Sequence, residues 1–289
     1  MTGHDCWKHE DVDVGSVRLH LVRAGAGRPV ILLHGFPDFW LSWRYQIAAL
    51  SAAGFEAIAP DLRGYNTSEK PAGVAAYDVD LLVADIVGLA DRLCGGRALL
   101  VAHDWGGIVA WYAAMQHPER FEKLVVINSP HPAAFARDFW RSEQFLRSFY
   151  MFLFQIPRLP EALIRARNFR SLERLYAREV AGRDAFAHGE VELYKRALGQ
   201  PGALTSALNF YRAAFRRARR TRGSDVAPIR IPTLLLWGDR DPHLRRSLAS
   251  GLEQWVPDIT VRHSPSSGHW LQLDEPDFVS RELIQFLGN

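Results

Sequence analysis

The turn Ala102-His103-Asp104-Trp105-Gly106-Gly107 constrains this chain more than any other segment. It follows the apolar run Leu99-Leu100-Val101, which reads as a buried strand. The pattern of small residues around a central Asp is that of a strand bending sharply into a helix. Ala102, Gly106 and Gly107 let the backbone turn tightly and hold the middle side chain up in a strained, exposed pose. That side chain is a carboxylate, where such turns more often carry serine. An alkoxide attacking an sp3 carbon leaves an ether, which water does not readily cleave. A carboxylate making the same attack leaves an ester, which a base-activated water can hydrolyse. The elbow therefore points away from ordinary esters and amides.

With 289 residues and 48% hydrophobic content, the chain suits one sizeable domain with a large insertion. No apolar run approaches the roughly 18 residues of a membrane span. Residues 1–15 are polar and acidic and lack the apolar stretch of a secretory signal. Two cysteines, Cys6 and Cys94, make no disulfide framework, and no Cys/His cluster has zinc spacing. A soluble, cytoplasmic protein without metal or cofactor is expected, either monomer or homodimer. The net charge of +3 is too small to call for a polyanionic partner. A run of arginines (212, 216, 217, 219, 220 and 222) reads mostly as a solvated helix face, and no nucleic-acid module accompanies it.

Strand-like runs recur at 9–14, 17–23, 29–33, 56–60, 98–103, 123–128, 233–237 and 260–263, with helical segments between them. The first two fit a hairpin across Gly15-Ser16. Helical spacing marks 79–93 and 107–116, the latter ending before Pro118. An α/β fold is predicted, with a mostly parallel eight-stranded sheet and helices on both faces. Between Pro132 and about Pro228 the strand pattern stops, and an aromatic, Arg-rich, helix-like stretch takes over. Residues 133–228 are therefore read as a helical cap inserted between core segments 1–132 and 229–289.

An Asp nucleophile needs a base to complete the reaction, and the base needs an orienting acid. Among eleven histidines, His269 stands out because Gly268-His269-Trp270 follows the last strand. Trp237-Gly238-Asp239-Arg240-Asp241 ends the preceding strand and offers two acids. Asp241 is preferred over Asp239 because it reaches further into the loop. His34-Gly35-Phe36-Pro37 follows the strand at 29–33, and the amides of Phe36 and Trp105 are expected to form an oxyanion hole. Phe36-Pro37 is a candidate cis bond, and His34 is read as structural.

The segments HGFPDFWLSWR (34–44), DLRGYNTSEKP (61–71), AHDWGG (102–107), WGDRD (237–241) and GHWLQLDEP (268–276) together resemble the α/β-hydrolase-fold epoxide hydrolases over nearly the whole chain. The order nucleophile, acid, histidine is also that of this fold. The resemblance implies two cap tyrosines that hydrogen-bond an epoxide oxygen and protonate it as the ring opens. One lies four residues before a Phe-Gln-x-Pro element, here Tyr150 before Phe154-Gln155-Ile156-Pro157. The other lies in an Asn-aromatic-Tyr-Arg element, here Tyr211 within Asn209-Phe210-Tyr211-Arg212. An alkoxide is a poor leaving group, so an acid must meet it as charge develops.

The resemblance thus implies conversion of a small-molecule epoxide to a diol through an ester on Asp104. Phe36, Trp105, Phe149, Phe152 and Phe210 are candidate substrate-lining residues. A haloalkane or haloacid dehalogenase would use the same Asp104, His269 and Asp241, but a leaving halide needs N–H donors rather than a proton. Trp105 and Ile108 stand where fluoroacetate-type enzymes carry arginines. A non-catalytic ligand-binding scaffold is the remaining alternative.

Overall fold

In the computed structural model, residues 7–180, 186, 189–220 and 227–288 are described. Cys6 and Arg222 lie outside them. Eight strands form one sheet: β1 (Lys8–Asp13), β2 (Arg18–Gly25), β3 (Arg28–Leu33), β4 (Phe55–Pro60), β5 (Ala98–His103), β6 (Phe121–Ile127), β7 (Thr233–Gly238) and β8 (Ile259–Ser264). Their order across the sheet is β1-β2-β4-β3-β5-β6-β7-β8. β1, β2 and β4 pair antiparallel, and the rest of the sheet is parallel. The expected hairpin across Gly15-Ser16 is present as the β1–β2 pair.

The strands that carry the elbow are continuous apolar runs because helices cover both faces of the sheet. Every residue of β5 and β7 is buried. α1 (Arg44–Ala52), α2 (Val79–Leu93), α3 (Asp104–Gln116) and, near the C-terminus, the short α10 (Leu271–Asp274) and longer α11 (Pro276–Gly288) belong to this core. The Asp78 side chain caps α2 by accepting the amide of Asp80. α3 starts at Asp104 itself, three residues earlier than its sequence pattern indicates.

Between β6 and β7 the described residues form helices joined by turns and loops, with no strand among them. This cap comprises α4 (Pro132–Asp138), α5 (Ser142–Arg147), α6 (Tyr150–Leu153), α7 (Leu159–Glu179), α8 (Val191–Gly199) and α9 (Ala203–Arg220). Inside α7, Arg167, Asn168 and Phe169 take left-handed backbone angles (φ 52°, 54° and 59°) and divide the helix in two. Such a conformation costs roughly 1–2 kcal/mol per non-glycine residue. Burial of Phe169 against the ring-sized space beside Gly199 offsets part of it. Among the described residues, no helix is long and apolar enough to cross a membrane, and no group of three metal-ligating side chains converges.

Two members of the arginine run, Arg212 and Arg217, leave the expected solvated face. Arg212 is buried: its guanidinium donates to the carbonyl of Phe154 (2.9 Å) and pairs with Glu161 (2.8 Å). Arg217 bonds Asp78 and Asp80 at the start of α2, whereas Arg216 is exposed.

The loop ends of β7 and β8 meet closely enough to exclude a side chain. A Cβ on Gly238 would lie 2.1 Å from the carbonyl oxygen of Gly268. Gly238→Ala is expected to cost about 1–3 kcal/mol through overpacking and to lower the thermal midpoint by several degrees in calorimetry. An unchanged midpoint would show that this backbone approach is not tight.

Candidate active site

Asp104 sits at the tip of β5 with φ 49°, a left-handed angle that a non-glycine residue adopts only under restraint. Its neighbours supply that restraint by lacking side chains. A Cβ on Gly35 would lie 2.4 Å from Oδ1 of Asp104, one on Gly106 2.4 Å from the Leu33 carbonyl, and one on Gly107 2.3 Å from Cβ of Ser129. Ser129 in turn donates its hydroxyl to the Asp104 carbonyl (2.7 Å). Two loops and a helix thus close on the elbow from three sides.

The carboxylate is gripped on one oxygen and open at the other. Oδ1 accepts the Phe36 amide at 2.8 Å, and the Phe36–Pro37 peptide is cis. Oδ2 faces Nε2 of His269 at 3.5 Å. Nδ1 of His269 bonds Oδ2 of Asp241 at 2.7 Å. Asp241 also accepts from Asn128 Nδ2 (2.9 Å) and from the amides of His243 (2.7 Å) and Leu244 (2.9 Å). Of the two acids offered by the sequence, Asp241 is the one that meets His269, whereas Asp239 binds His263 and Arg246. His34 accepts the Leu62 amide at Nε2 and is within 2.9 Å of the Gly35 carbonyl at Nδ1.

Electrostatics follow from this geometry. Burial alone would push the Asp104 carboxyl up, but His269, His103 and the Phe36 amide together hold it below the ordinary carboxylate value. Asp241 is likewise opposed by burial, yet the His269 and His243 rings and Asn128 bring it down to about 2. Burial would lower His269, but the two carboxylates flanking it raise it well above the usual imidazole range. The two carboxylates flanking His269 thus favour its protonated form.

Across from the carboxylate, the cap contributes two phenols. The rings of Tyr150 and Tyr211 are 6.0 Å apart, centre to centre. Burial, reinforced by the Asp104 charge, raises both above the ordinary phenol value. Both therefore stay protonated and able to donate. Tyr211 packs edge-on against Trp105 (4.9 Å) and Phe36 (5.6 Å), which brings α9 onto the elbow.

The site thus holds a gripped carboxylate, a His–Asp pair and two phenols on the cap side. The family model described as alpha/beta hydrolase fold matches residues 28–276. The AB hydrolase superfamily protein YfhM of Bacillus subtilis (strain 168) is 38% identical over 286 residues, covering 98% of each chain. Epoxide hydrolase 4 of Mus musculus is 37% identical over 284 residues, covering 94% of this chain and 76% of the relative. The crystal structure of Bacillus megaterium epoxide hydrolase in complex with an inhibitor superposes with a TM-score of 0.90 at 32% identity, over 97% of this chain and 100% of that one. The chain belongs to the α/β-hydrolase-fold epoxide hydrolases.

Within this epoxide hydrolase fold, the aromatic residues expected at the site separate into three groups. Phe36 and Trp105 touch Tyr211 directly. Phe210 is buried behind Trp105, against Tyr65 and Tyr77, so it supports the elbow from beneath. Phe149 corrects the expectation: it is 60% exposed and packs on Phe145 and Phe152 at the cap surface. Phe152 joins the same cluster, with Phe139 and Phe215, instead of meeting the tyrosines. The cause is the short α6 turn, which directs neighbouring residues to opposite sides.

Several residues the sequence reading did not assign also belong to the site's frame. Phe154 touches Phe36, Tyr150 and Tyr211. His243 lies edge-on to both His269 (5.3 Å) and Tyr150 (5.8 Å), and its Nε2 meets Glu179 of α7 at 2.8 Å. Asp38, fully buried, accepts from Tyr176 (2.7 Å) and Trp270 (3.0 Å), tying the cap to the loop that carries His269. His103 Nε2 meets the His269 carbonyl at 3.0 Å. Asp38, His103 and Phe154 lie within the motifs HGFPD, AHDWGG and Phe-Gln-Ile-Pro, and His243 two residues past WGDRD, but nothing in the local pattern indicates their distant partners.

Arg212 holds the two tyrosine-bearing elements in register by binding the carbonyls of Phe154 and Ile156 from α9. Arg212→Met removes the charged fork and leaves Glu161 without its partner. The loss should approach, without reaching, the roughly 3–5 kcal/mol of a fully buried pair. A lower thermal midpoint and a changed near-ultraviolet circular dichroism of the tyrosines are expected. Wild-type spectra and stability would remove Arg212 from this role.

Proposed function

We propose that this protein hydrolyses epoxides to vicinal diols in two steps, through an alkyl ester on Asp104. The observation that carries this reading is the pair of protonated phenols facing a gripped carboxylate. A leaving halide would have no use for two proton donors, so the pair favours an epoxide over a haloalkane. Residues 133–228 act as the cap over core segments 1–132 and 229–289, in a cytoplasmic enzyme that needs no cofactor.

In the first step an oxygen of Asp104 attacks one ring carbon as that carbon's bond to the epoxide oxygen breaks. Tyr150 and Tyr211 hydrogen-bond the departing oxygen, and one of them gives it a proton. General-acid help of this kind is worth about 10²–10⁴-fold. The product is a neutral hydroxyalkyl ester. Phe36 and Trp105 form the apolar wall beside the ring, with Phe210 behind Trp105.

Forming the ester removes one of the two negative charges that raise His269. The imidazolium can then release its proton, and the tyrosinate requires one, so the two changes balance. His269, oriented by Asp241, next takes a proton from water, and the oxygen attacks the Asp104 carboxyl carbon. The Phe36 amide already binds the oxygen that becomes the oxyanion, with the Trp105 amide as its expected partner. One such donor contributes roughly 2.7–4 kcal/mol in other hydrolases. Collapse expels the diol, protonated by His269, and leaves Asp104 as a carboxylic acid, whose proton passes to the now neutral His269 to restore the starting pair.

His269→Gln should still open the ring but stall, so intact-mass measurement should show the protein plus one substrate, and Asp104→Ala should show neither adduct nor turnover. Adduct on a residue other than Asp104 would refute the reading. The same charge logic sets the pH dependence. Asp104 is held below its ordinary value, so it stays anionic and nucleophilic well into acid. Hydrolysis requires neutral His269 and slows as pH falls through the histidine's value in the ester. Rapid-quench experiments should therefore find more accumulated ester at lower pH. A level that does not change with pH would sink the proposed change in His269.

A further inference from the structure

The net charge of +3 conceals a one-sided distribution on the cap. Six arginines of the α7 region, Arg158, Arg165, Arg167, Arg170, Arg174 and Arg178, are all exposed. The acids of the same helix are engaged with other partners: Glu161 with Arg212, Glu173 with Lys195, and Glu179 with His243. Glu192 of the adjacent α8 is also taken by Lys195. Among the described residues, the carboxylates of α7 and the neighbouring Glu192 are thus drawn to other cations.

The two halves of the helix differ in kind. Arg170, Arg174 and Arg178 recur every four residues after the left-handed turn and so share one face. Before the turn, Leu159 and Leu163 stand one helical turn apart, 42% and 53% exposed, and Ile156 precedes them at 44%. Other large residues of the helix, Leu172 and Tyr176, are buried in the ordinary way. Exposed apolar side chains interspersed with and followed by exposed arginines supply the two ingredients of binding to a lipid headgroup layer, apolar area and positive charge.

We infer that the outer surface of α7 docks this protein onto an anionic phospholipid bilayer, with Ile156, Leu159 and Leu163 entering the headgroup region and the arginines binding lipid phosphates. Charge complementarity selects this occupant. A symmetric contact with a second copy would set arginines against arginines. A nucleic-acid backbone would engage the arginines but leave the exposed leucines in water. Guanidinium groups bind phosphate in a two-pronged manner, which suits the headgroup. The inference does not depend on the chemistry of the site.

The test is co-sedimentation of the full chain with phosphatidylcholine vesicles, with and without phosphatidylglycerol. Binding is expected only to the anionic vesicles and should weaken with added salt. Each basic residue near such a surface is worth roughly a factor of five in partition. The triple variant R170Q/R174Q/R178Q should therefore lose on the order of a hundredfold, and L159S/L163S should also weaken binding. Both variants should hydrolyse a water-soluble epoxide at the parent rate, which separates failure of docking from failure of the site. Equal binding to both vesicle types, no binding to either, or anionic binding untouched by these substitutions would overturn the inference. Salt-sensitive capture of duplex DNA or RNA that survives L159S/L163S, without vesicle binding, would reassign the surface to nucleic acid.

Discussion

The whole arrangement depends on the close approach of three backbone segments at Asp104. Its left-handed angle is unfavourable by itself, and it persists because β3's loop, the start of α3 and the Ser129 loop leave the residue no other place. That same closeness sets the Phe36 amide on Oδ1 and turns Oδ2 toward His269. The strain, the placement of the Asp104 carboxylate and its hydrogen bond from the Phe36 amide therefore come from one packing event. Glycine at 35, 106 and 107 is the condition for all three.

Around that point, charge does the remaining work. An imidazole between two carboxylates is raised as an acid, and two phenols near a carboxylate are raised as well. On the proposed mechanism, each group is thereby kept in the state ring opening needs, with Asp104 charged and the phenols protonated. Esterification of Asp104 would withdraw the charge responsible and favour the opposite states, those needed for hydrolysis. A single change of charge can thus order the two steps without any movement of the backbone.

The cap has two unlike surfaces. Its inner side presents Tyr150, Phe154 and Tyr211 to the elbow, fastened by Arg212, by the Tyr176–Asp38 bond and by the Glu179–His243 pair. Its outer side carries exposed arginines and leucines. Using Glu161, Glu173 and Glu179 for internal pairs leaves the outer side cationic. The internal fastening and the external charge therefore have a common origin in where those acids point.

The fold was legible in the sequence because its signals are local. Apolar runs of strand length, the small-residue elbow and the break in strand pattern at Pro132 each follow from short-range sterics and burial, and the strand boundaries differ by only a few residues from those observed. The positions of Asp104, Asp241 and His269 at strand ends were legible for the same reason. What the sequence could not give is which side of a short helical turn each residue faces, and which distant groups a buried charge meets. Phe149 and Phe152 were misplaced by the first, since adjacent positions on a single turn point to different sides. Arg212, Asp38, His103 and the Glu179–His243 pair were hidden by the second, because their partners lie many residues away. Local pattern determines the elements and the elbow's chemistry. Long-range packing alone decides which charges are paired, and hence which remain free to act.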